Sequence, residues 1–445
     1  MRDGSLLFPD GTPIDEWFFR TDVPALEDLE KSYDITDYGI LPDGTIQTKK
    51  LQALIDLIHN NGGGVVVIPA GTFLTGAVYF KQGVSLYICK GGVLKGSDDL
   101  ADYPICMTRI EGECCRYFPA LINAEGLSDF IMAGEGIIDG NGSGFWRDFW
   151  YRRDWNPGCT NKDSQRPRLI YLSHCTDVIV AGLRFQNAAF WTNHLYKCSR
   201  VKYLGCSVYS PFSEEEKAPS TDAIDIDACT DILIKNCRME VNDDAVALKG
   251  GKGPWADRDP DNGSNERILI EDCEYGFCHG CLTFGSENIH SRNIIIRNIK
   301  VQTGYNVLWF KMRPDTPQIY EYVLMENITG KAANFLNINP WTQFFDLKGR
   351  KDLPVSLCRN ITIRNCTLEC DTFFNVKQEE SQYHLAQFNM ENLKIATVNV
   401  DFYPEYIEEI QCNNIAFEKT DKICFPDSVT TVLENNVDWR GKALQ

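Results

Sequence analysis

The residues of this 445-residue sequence best suited to chemistry are three aspartates that recur at a fixed offset. The segments 221–226 and 243–248 superimpose at an offset of 22 residues, which places Asp222 on Asp244 with Asp243 beside it. Carboxylates crowded together cannot all ionise freely, so one of the three is expected to keep its proton. A protonated acid beside an ionised base is what acid/base cleavage of a glycosidic bond requires.

The same aspartates also have a structural explanation. Asp is common at strand starts, where its side chain closes turns with the backbone. Strict strand alternation would send the side chains of Asp243 and Asp244 to opposite faces, so both reach one cleft only if a turn or bulge intervenes. Spacing alone therefore leaves catalysis and turn formation both open.

A short sequence pattern that recurs along the chain predicts the elements that position these aspartates. It consists of a small or polar residue followed by β-branched residues, and it occurs at 175–180, 198–203, 229–234, 266–270, 292–296 and 358–363. Short strands at irregular spacing are typical of a parallel β-solenoid whose insertions leave at the loops. Ladders of Ile, Val and Cys would fill the interior, so most of the 18 cysteines are expected to be packed, reduced thiols.

The N-terminal part of the solenoid has a different pattern. Apolar residues at 51, 54, 55 and 58 predict an amphipathic helix, which the glycines at 62–64 end. Such a helix is a natural cap for the open edge of the first coil. We expect an extension packed on the outside at 1–35, a single β-helix domain at 36–425 and a tail at 426–445.

The charge balance excludes some classes of partner. With 44 Lys+Arg against 62 Asp+Glu, the formal net charge is -18, which argues against nucleic acid as a partner.

No apolar run approaches the roughly 18 residues of a membrane span. The first ten residues do not resemble a secretory signal, so a cytoplasmic location is expected, or a secreted one if a signal was trimmed. A lone Cys-x-x-Cys at 278–281 lacks a second ligand pair, so no metal site is predicted. Oligomeric state is not specified.

Four motifs, in their order along the chain, resemble those of glycoside hydrolase family 28, the polygalacturonases and their rhamnogalacturonan-active relatives. They lie at 221–226, 242–244, 278–287 and 310–311. Upstream segments, among them 136–142 and 166–170, extend the resemblance over roughly residues 33–370. Several ordered motifs are far more specific than any one of them.

The resemblance implies an all-β fold, a right-handed parallel β-helix, and an inverting hydrolase. By resemblance, Asp243 is the general acid, Asp222 and Asp244 activate the attacking water, and His279 helps to set the protonation of the acid. Lys311 would hold a sugar carboxylate. An inverting pair needs room for water, so a carboxylate separation of ~6.5–9.5 Å is expected. The resemblance implies no metal and no organic cofactor.

One departure from the family pattern concerns substrate binding. The family's Arg-Ile-Lys motif ends here on Lys311 but carries Trp309 in place of Arg, which removes a bidentate carboxylate ligand. Arg313 has the strand parity to supply a guanidinium instead, while Trp309 either stacks on a sugar or packs on a loop. Arg166 and Arg168 are further candidates for a local positive site.

Long inserts at 145–164, 211–219 and 250–265 are expected to wall one end of the cleft. The sequence therefore predicts an exo-acting glycosidase on pectin-derived oligosaccharides of galacturonate or rhamnogalacturonan type. Two alternatives remain open. One is a β-helical polysaccharide lyase that uses the aspartates as calcium ligands, and the other is a non-catalytic carbohydrate-binding solenoid.

Overall fold

The computed structural model describes residues 6–29, 31–343, 345–399 and 402–419, and beyond them the backbone of three short strands. The chain forms two compact units. The N-terminal unit comprises residues 20–244, and the C-terminal unit comprises residues 245–445 together with residues 1–19. The predicted boundaries at 35 and 425 stay a prediction, and most of the predicted tail lies outside the described residues.

The N-terminal unit is built from short strands that pair in parallel from coil to coil. Its strands are Ser32–Asp34, Gly64–Ile68, Gly71–Thr75, Val78–Tyr79, Val84–Ile88, Gly92–Gly96, Cys106–Ile110, Glu113–Tyr117, Ile122–Glu125, Ile131–Gly134, Ile137–Asp139, Ile170–Ser173, Thr176–Ala181, Arg184–Gln186, Asn193–Tyr196, Ser199–Leu204, Ser207–Tyr209, Ile224–Asp227, Thr230–Lys235 and Arg238–Glu240.

Equivalent strands of successive coils stack in register, so residues of one type form ladders. On one sheet, Val178 pairs with Val201 and Val201 with Ile232, and all three side chains are buried. The segments 175–180, 198–203 and 229–234, which share the recurring sequence pattern, thus occupy the same position on three coils. This stacking confirms the predicted parallel β-helix.

Cysteine thiols occupy matching interior positions of the same coils. Cys175, Cys198 and Cys229 are buried, and the described cysteines are free thiols. The Sγ of Cys198 donates to the carbonyl oxygen of Leu172 at 3.3 Å. Burial raises the pKa of the Cys198 thiol well above its usual value. These thiols therefore pack as small hydrophobic groups, and the raised pKa keeps that of Cys198 protonated.

The predicted cap is the helix Thr48–Asn60. It buries Leu51, Leu54, Ile55 and Ile58 against the first strands of the unit, while the strand Ser32–Asp34 pairs with the edge of Gly64–Ile68. The chain leaves the helix at Gly63 with φ of 100°, where a Cβ would lie 2.6 Å from the carbonyl oxygen of Gly83. Only glycine fits this close backbone approach.

An antiparallel hairpin that the sequence analysis did not predict projects from this parallel stack. Strands Cys106–Ile110 and Glu113–Tyr117 pair with each other, with Ile110 opposite Glu113. The two residues between them, Glu111 and Gly112, both have positive φ, as a two-residue hairpin turn of type I′ requires. The unit also holds the second α-helix, Ser143–Trp155.

The C-terminal unit continues the parallel pattern with longer strands. They are Val246–Lys249, Ser264–Glu271, Glu274–Tyr275, Gly280–Phe284, His290–Val301, Asn306–Met312, Ile319–Pro340, Ser356–Arg364, Thr367–Val376, Tyr383–Asn399 and Gln411–Lys419, followed by the antiparallel Val429–Leu433, Val437–Asp438 and Lys442–Ala443. The N-terminal segment contacts this unit through an ion pair of 2.8 Å between Asp10 and Arg292. Within the described residues, no helix combines the length and the hydropathy needed to cross a membrane.

Candidate active site

The three predicted aspartates come together in the N-terminal unit. Asp222 precedes the strand Ile224–Asp227, whereas Asp243 and Asp244 follow the strand Arg238–Glu240. A carboxylate oxygen from each of the three lies within 4.8 Å of the others. Asp222 and Asp244 are buried, with exposures of 3% and 1%, and Asp243 is half-buried. We call this group the Asp trio.

The backbone around the Asp trio shows why residues 22 positions apart meet. The amide of Ala223 donates to the carbonyl oxygen of Asp244 at 2.9 Å, and the amide of Thr192 donates to that of Asp222 at 2.8 Å. The offset therefore corresponds to one coil. The chain bends at 242–243 and the Asp244 amide donates to Asp243 Oδ1 at 3.0 Å, so the turn that both side chains need is present.

Buried hydrogen bonds hold the two segments of the Asp trio together. The hydroxyls of Ser210 and Thr221 lie 2.6 Å apart, and Ser210 Oγ also accepts from the Asn242 amide at 2.9 Å. Asn242 Nδ2 donates to the carbonyl oxygen of Ala218 at 2.7 Å. Ser210 and Ala218 were not singled out from the sequence, because they belong to no motif. They fix the carboxylates by holding the backbone that carries them.

One oxygen from each carboxylate of the Asp trio lies closer to the others than the separation expected between whole carboxyl groups. The predicted ~6.5–9.5 Å applies to two carboxylates with a water between them, whereas these oxygens lie within 4.8 Å. The geometry therefore supplies an acid and a base in one place, but the separation by itself does not indicate inversion.

The Asp trio is also a group that could hold a metal ion. Among the residues that the structure describes, it is the one group of three or more carboxylate, thiol or imidazole ligands close enough to share an ion. Carboxylate oxygens are the ligands that Ca²⁺ and Mg²⁺ prefer. Acidic clusters are also what acid/base catalysis needs, so the donor set alone does not decide between the two.

Two of the predicted inserts, 145–164 and 211–219, lie beside the segment that carries Asp222. The helix Ser143–Trp155 contacts the loop 211–219 through Trp150, whose Nε1 donates to the carbonyl oxygen of Lys217 at 2.6 Å. Arg166 Nη2 donates to the carbonyl oxygen of Pro219 at 3.1 Å. Both inserts therefore lie beside the segment from which Asp222 emerges.

The structure corrects the expectation that Arg166 and Arg168 form a positive site for a ligand, because both side chains are buried in the protein. The guanidinium of Arg166 donates to the carbonyl oxygens of Ala189 at 2.7 Å and Ser164 at 2.9 Å. Burial lowers the pKa of Arg166 to about 10. With their donors directed at backbone and neighbouring side chains, these arginines hold loops in place rather than contact a ligand.

Arg168 belongs to a buried polar network that ties the hairpin to the coils. Arg109, on the hairpin, pairs with Asp227 at 3.0 Å, and Asp227 also lies 3.4 Å from His194 Nε2. Arg168 Nη1 donates to His194 Nδ1 at 2.6 Å, so the imidazole proton lies on Nε2, facing Asp227. Burial lowers the pKa of His194 to about 4, so the ring is neutral at pH 7.

In the C-terminal unit, His279 lies between two aromatic rings. Its ring centroid is 5.9 Å from that of Phe277 and 5.4 Å from that of Tyr305, and it is half-buried. Its carbonyl oxygen accepts from Nδ2 of Asn306 at 2.8 Å. The predicted role of His279 in setting the protonation of the acid stays a prediction.

Lys311 and Trp309 are brought together on the outer face of the strand Asn306–Met312. The ammonium of Lys311 lies 4.1 Å from the ring centroid of Trp309 and 5.0 Å from that of Trp341, which is a double cation–π contact. The two indoles are 5.7 Å apart and nearly perpendicular. Trp309 thus contacts Lys311 directly, and Trp341 is a partner that sequence spacing did not reveal.

Three lysines surround one carboxylate next to this strand. Lys249 and Lys252 lie 3.6 and 4.0 Å from the carboxylate of Glu287. Burial opposes the ionisation of Glu287, but the charges of Lys249 and Lys252, with a smaller contribution from Lys311, lower its pKa to about 2. The cluster gathers the cationic groups of Lys249, Lys252 and Lys311 around this carboxylate.

The expectation that Arg313 replaces the missing guanidinium is a second correction. Arg313 is buried, and its Nε and Nη2 donate to the two carboxylate oxygens of Asp315 at 2.7 and 2.8 Å. Its Nη1 donates to the carbonyl oxygen of Gln343 at 2.9 Å. The guanidinium is committed to this bidentate pair, which anchors the loop after the strand.

Comparison with known proteins identifies relatives of this chain. The family described as glycosyl hydrolases family 28 matches residues 68–335. A probable polygalacturonase of Vitis vinifera is 29% identical over 230 residues, 49% of this chain and 44% of that protein. An exo-poly-alpha-D-galacturonosidase of Dickeya chrysanthemi is 33% identical over 146 residues, 31% of this chain and 23% of that protein. The chain spans about half the length, or less, of such curated relatives.

Solved structures extend the likeness to most of the chain. A hyperthermoactive exopolygalacturonase of Thermotoga maritima superimposes with a TM-score of 0.72 at 18% identity, covering 94% of this chain and 96% of its own. A family 28 exopolygalacturonase of Yersinia enterocolitica gives 0.66 at 18% identity, covering 87% and 75%. At this identity the likeness concerns the fold, and it confirms the predicted right-handed parallel β-helix.

Proposed function

This chain belongs to the glycosyl hydrolases of family 28, and from that premise we propose that it hydrolyses glycosidic bonds in pectin-derived oligosaccharides. The observation that carries the proposal is the Asp trio, in which one carboxylate oxygen from each residue lies within 4.8 Å of the others. Relatives named polygalacturonase and exo-poly-alpha-D-galacturonosidase support a galacturonate-type substrate, and a rhamnogalacturonan-type substrate stays an expectation of the family resemblance.

The burial of the Asp trio supports the assignment of roles. Asp243 is the most accessible of the three, so it is placed to protonate the leaving glycosidic oxygen. Asp222 and Asp244 are buried and accept the proton of the water whose oxygen attacks the anomeric carbon. The bond from the anomeric carbon to the leaving oxygen breaks as the bond to water forms. Lys311 keeps its proposed role as ligand of a sugar carboxylate.

The stereochemical outcome follows from how many of these carboxylates act on water. Family resemblance favours inversion, while a separation below ~5.5 Å is typical of retaining pairs. We expect inversion, because the Asp trio offers two bases for water in addition to the acid. Proton NMR of the product formed in the first minutes would show the anomer opposite to that of the substrate bond. Initial formation of the same anomer would assign a nucleophile instead.

Exo action is supported by the inserts beside Asp222. The helix Ser143–Trp155 and the loop 211–219 contact each other and border that segment, as walls at one end of a cleft would. An exo enzyme should release label from one terminus of a labelled oligomer long before internal bonds break. Equal release from internal and terminal positions would contradict the proposal. A cytoplasmic location, which is also a proposal, would fit a substrate of short oligosaccharides.

The test of the function is incubation of the purified protein with a mixed digest of homogalacturonan and rhamnogalacturonan oligomers, without added metal. Products are followed by mass and by ultraviolet absorbance. Loss of single hexuronate or deoxyhexose units with addition of water would support the exo-hydrolase and identify the sugar.

Because the Asp trio could hold a cation, a lyase is the second candidate. Unsaturated, ultraviolet-absorbing products that depend on Ca²⁺ would favour it over the hydrolase.

A further inference from the structure

Three adjacent strands of the C-terminal unit bring a set of polar and aromatic side chains to one outer face. Trp309 is in register with Asn337, and Asn337 with Asn375. Lys311 is in register with Asn339 on the same pair of strands. Paired residues of parallel strands point to the same side and lie about 4.8 Å apart. We call Trp309, Lys311, Asn337, Asn339, Trp341 and Asn375 the amide–indole face.

Strand alternation confirms that this face points away from the core. The residues between its members, Phe310 and Ile338, are fully buried, whereas Lys311, Asn339 and Asn375 are half-buried. The outward positions of three neighbouring strands therefore carry polar and aromatic side chains, not the ladders of Ile and Val found inside.

Hydrogen bonds hold the amides of this face in fixed positions. Asn339 Nδ2 and Asn375 Nδ2 both donate to Oδ1 of Asn337, the latter at 3.2 Å. Asn337 Nδ2 in turn donates to Oδ1 of Asn306 at 2.7 Å. Each amide has two N–H donors and one acceptor oxygen. Within the described part of the chain, Asn339 and Asn375 each use one N–H in this way and keep a second N–H and a carbonyl oxygen for a ligand.

Another set of asparagines in this unit has a purely structural role, which is to stabilise the turns of the β-helix. Asn365, Asn392 and Asn414 form another ladder in this unit, through bonds of 3.1 and 2.8 Å. Those three have φ between 53° and 55°, the left-handed turn conformation that asparagine tolerates. Asn339 and Asn375 lie instead inside the strands Ile319–Pro340 and Thr367–Val376, where β-branched residues are normally preferred.

The face continues towards a cavity at the ends of these strands. The cavity has a volume of about 700 Å³, and Pro340, Phe345, Lys351 and Gln382 are among its lining residues. Gln382 Nε2 donates to the carbonyl oxygen of Met312, the last residue of the strand that carries Lys311. Volumes of 300–1,000 Å³ are typical of ligand sites, so the space beyond Pro340 can accept part of a chain that lies along the face.

We propose that the amide–indole face binds sugar residues of an acidic oligosaccharide. Indole rings offer flat apolar surfaces, amides match sugar hydroxyls, and the ammonium of Lys311 matches a uronate carboxylate. The inference rests on the proposed function and extends it, because it makes affinity depend on the length of the oligosaccharide. Asn339, Asn375 and Trp341 are the specificity-determining residues that it adds.

The test compares Asn339→Ala and Asn375→Ala with Asn413→Ala, an exposed strand asparagine of the same unit. Michaelis parameters are measured on galacturonate oligomers of two to six residues, and dissociation constants by calorimetry in an Asp243→Asn background. Losing one or two sugar hydrogen bonds should raise KM and Kd for the longest oligomers roughly three- to tenfold. The dimer should be unaffected, and Asn413→Ala should behave as wild type. Thermal unfolding checks that each variant is folded.

The outcomes separate this inference from the proposed function. Wild-type hydrolysis with variants that change KM equally for every length, or not at all, would overturn the amide–indole face and leave the function standing. If wild type neither cleaves nor binds any of the oligomers, the proposed function fails, and this inference fails with it.

Discussion

At the scale of single residues, the three aspartates of the Asp trio differ in burial and therefore in what they can reach. Asp222 and Asp244 are almost fully covered, while Asp243 keeps part of its surface accessible. A general acid must contact the leaving oxygen, and water can be activated from a covered position. The bend at 242–243 creates this difference between two neighbouring residues of the chain.

Replacement of the acid tests this assignment. In Asp243→Asn the amide oxygen can still accept from the Asp244 amide, so the local backbone should be kept, but no proton is available for the leaving group. We expect kcat to fall by about 10²–10⁴-fold with a smaller change in KM. Asp129→Asn, at an exposed position with φ of 55°, is the matched control and should retain full activity. Unchanged turnover in Asp243→Asn would show that Asp243 is not the general acid.

At the scale of elements, a buried ion pair ties the hairpin of Cys106–Ile110 and Glu113–Tyr117 to the β-helix. Arg109 and Asp227 have fully covered side chains and meet at 3.0 Å, although they are 118 positions apart in the chain. At the other strand of the hairpin, Glu113 pairs with Lys162 of the insert. The hairpin therefore links a coil of the β-helix to an insert beside the Asp trio.

Removing Arg109 should destabilise the N-terminal unit strongly. Arg109→Ala leaves Asp227 buried without its main counter-charge, which costs about 3–5 kcal/mol of unfolding free energy. Urea unfolding monitored by fluorescence measures this loss as a lower midpoint. Arg116→Ala, an exposed arginine of the same hairpin, should shift the midpoint little. Equal midpoints for the two variants would show that the buried pair adds nothing to stability.

At the scale of the whole molecule, buried ionisable groups make stability depend on pH. His194 stays neutral in the fold until about pH 4, whereas an unfolded histidine takes up a proton near pH 6.5. The contribution of His194 is therefore fully present above pH 6.5 and is lost as the pH falls towards 4. Burial opposes ionisation of Asp227, but Arg109 lowers its pKa overall, so protonation of this carboxyl at lower pH acts in the same direction.

Acid sensitivity between pH 6.5 and 4 is the expected result. The His194 contribution is on the order of 3 kcal/mol across this window. Urea midpoints of wild type should fall steeply from pH 7 to pH 4.5, and His194→Asn should flatten that slope whatever its absolute stability. His174→Asn, at an exposed turn position, should keep the wild-type slope. Identical slopes for wild type and His194→Asn would contradict the assignment.

The sequence by itself determined the repetitive parts of this protein. A recurring pattern of β-branched residues predicted the coils, and the spacing of apolar residues in 49–58 predicted the cap helix. The offset of 22 residues, which is one coil, predicted that Asp222 meets Asp244. Each of these features is a local period repeated along the chain, and periodicity is visible without knowing long-range contacts. The family resemblance added the roles of the residues and the handedness of the coils.

Tertiary structure decided where the charged side chains of the inserts and outer faces are directed. Arg166, Arg168 and Arg313 were candidates for ligand binding and are instead buried against carbonyls and carboxylates. Trp341 contacts Lys311, and Arg109 reaches Asp227, across separations that no local pattern encodes. Whether a cation faces a ligand or the protein depends on which distant acceptors surround it, because burying a charge requires a partner. Only the folded chain brings those partners together.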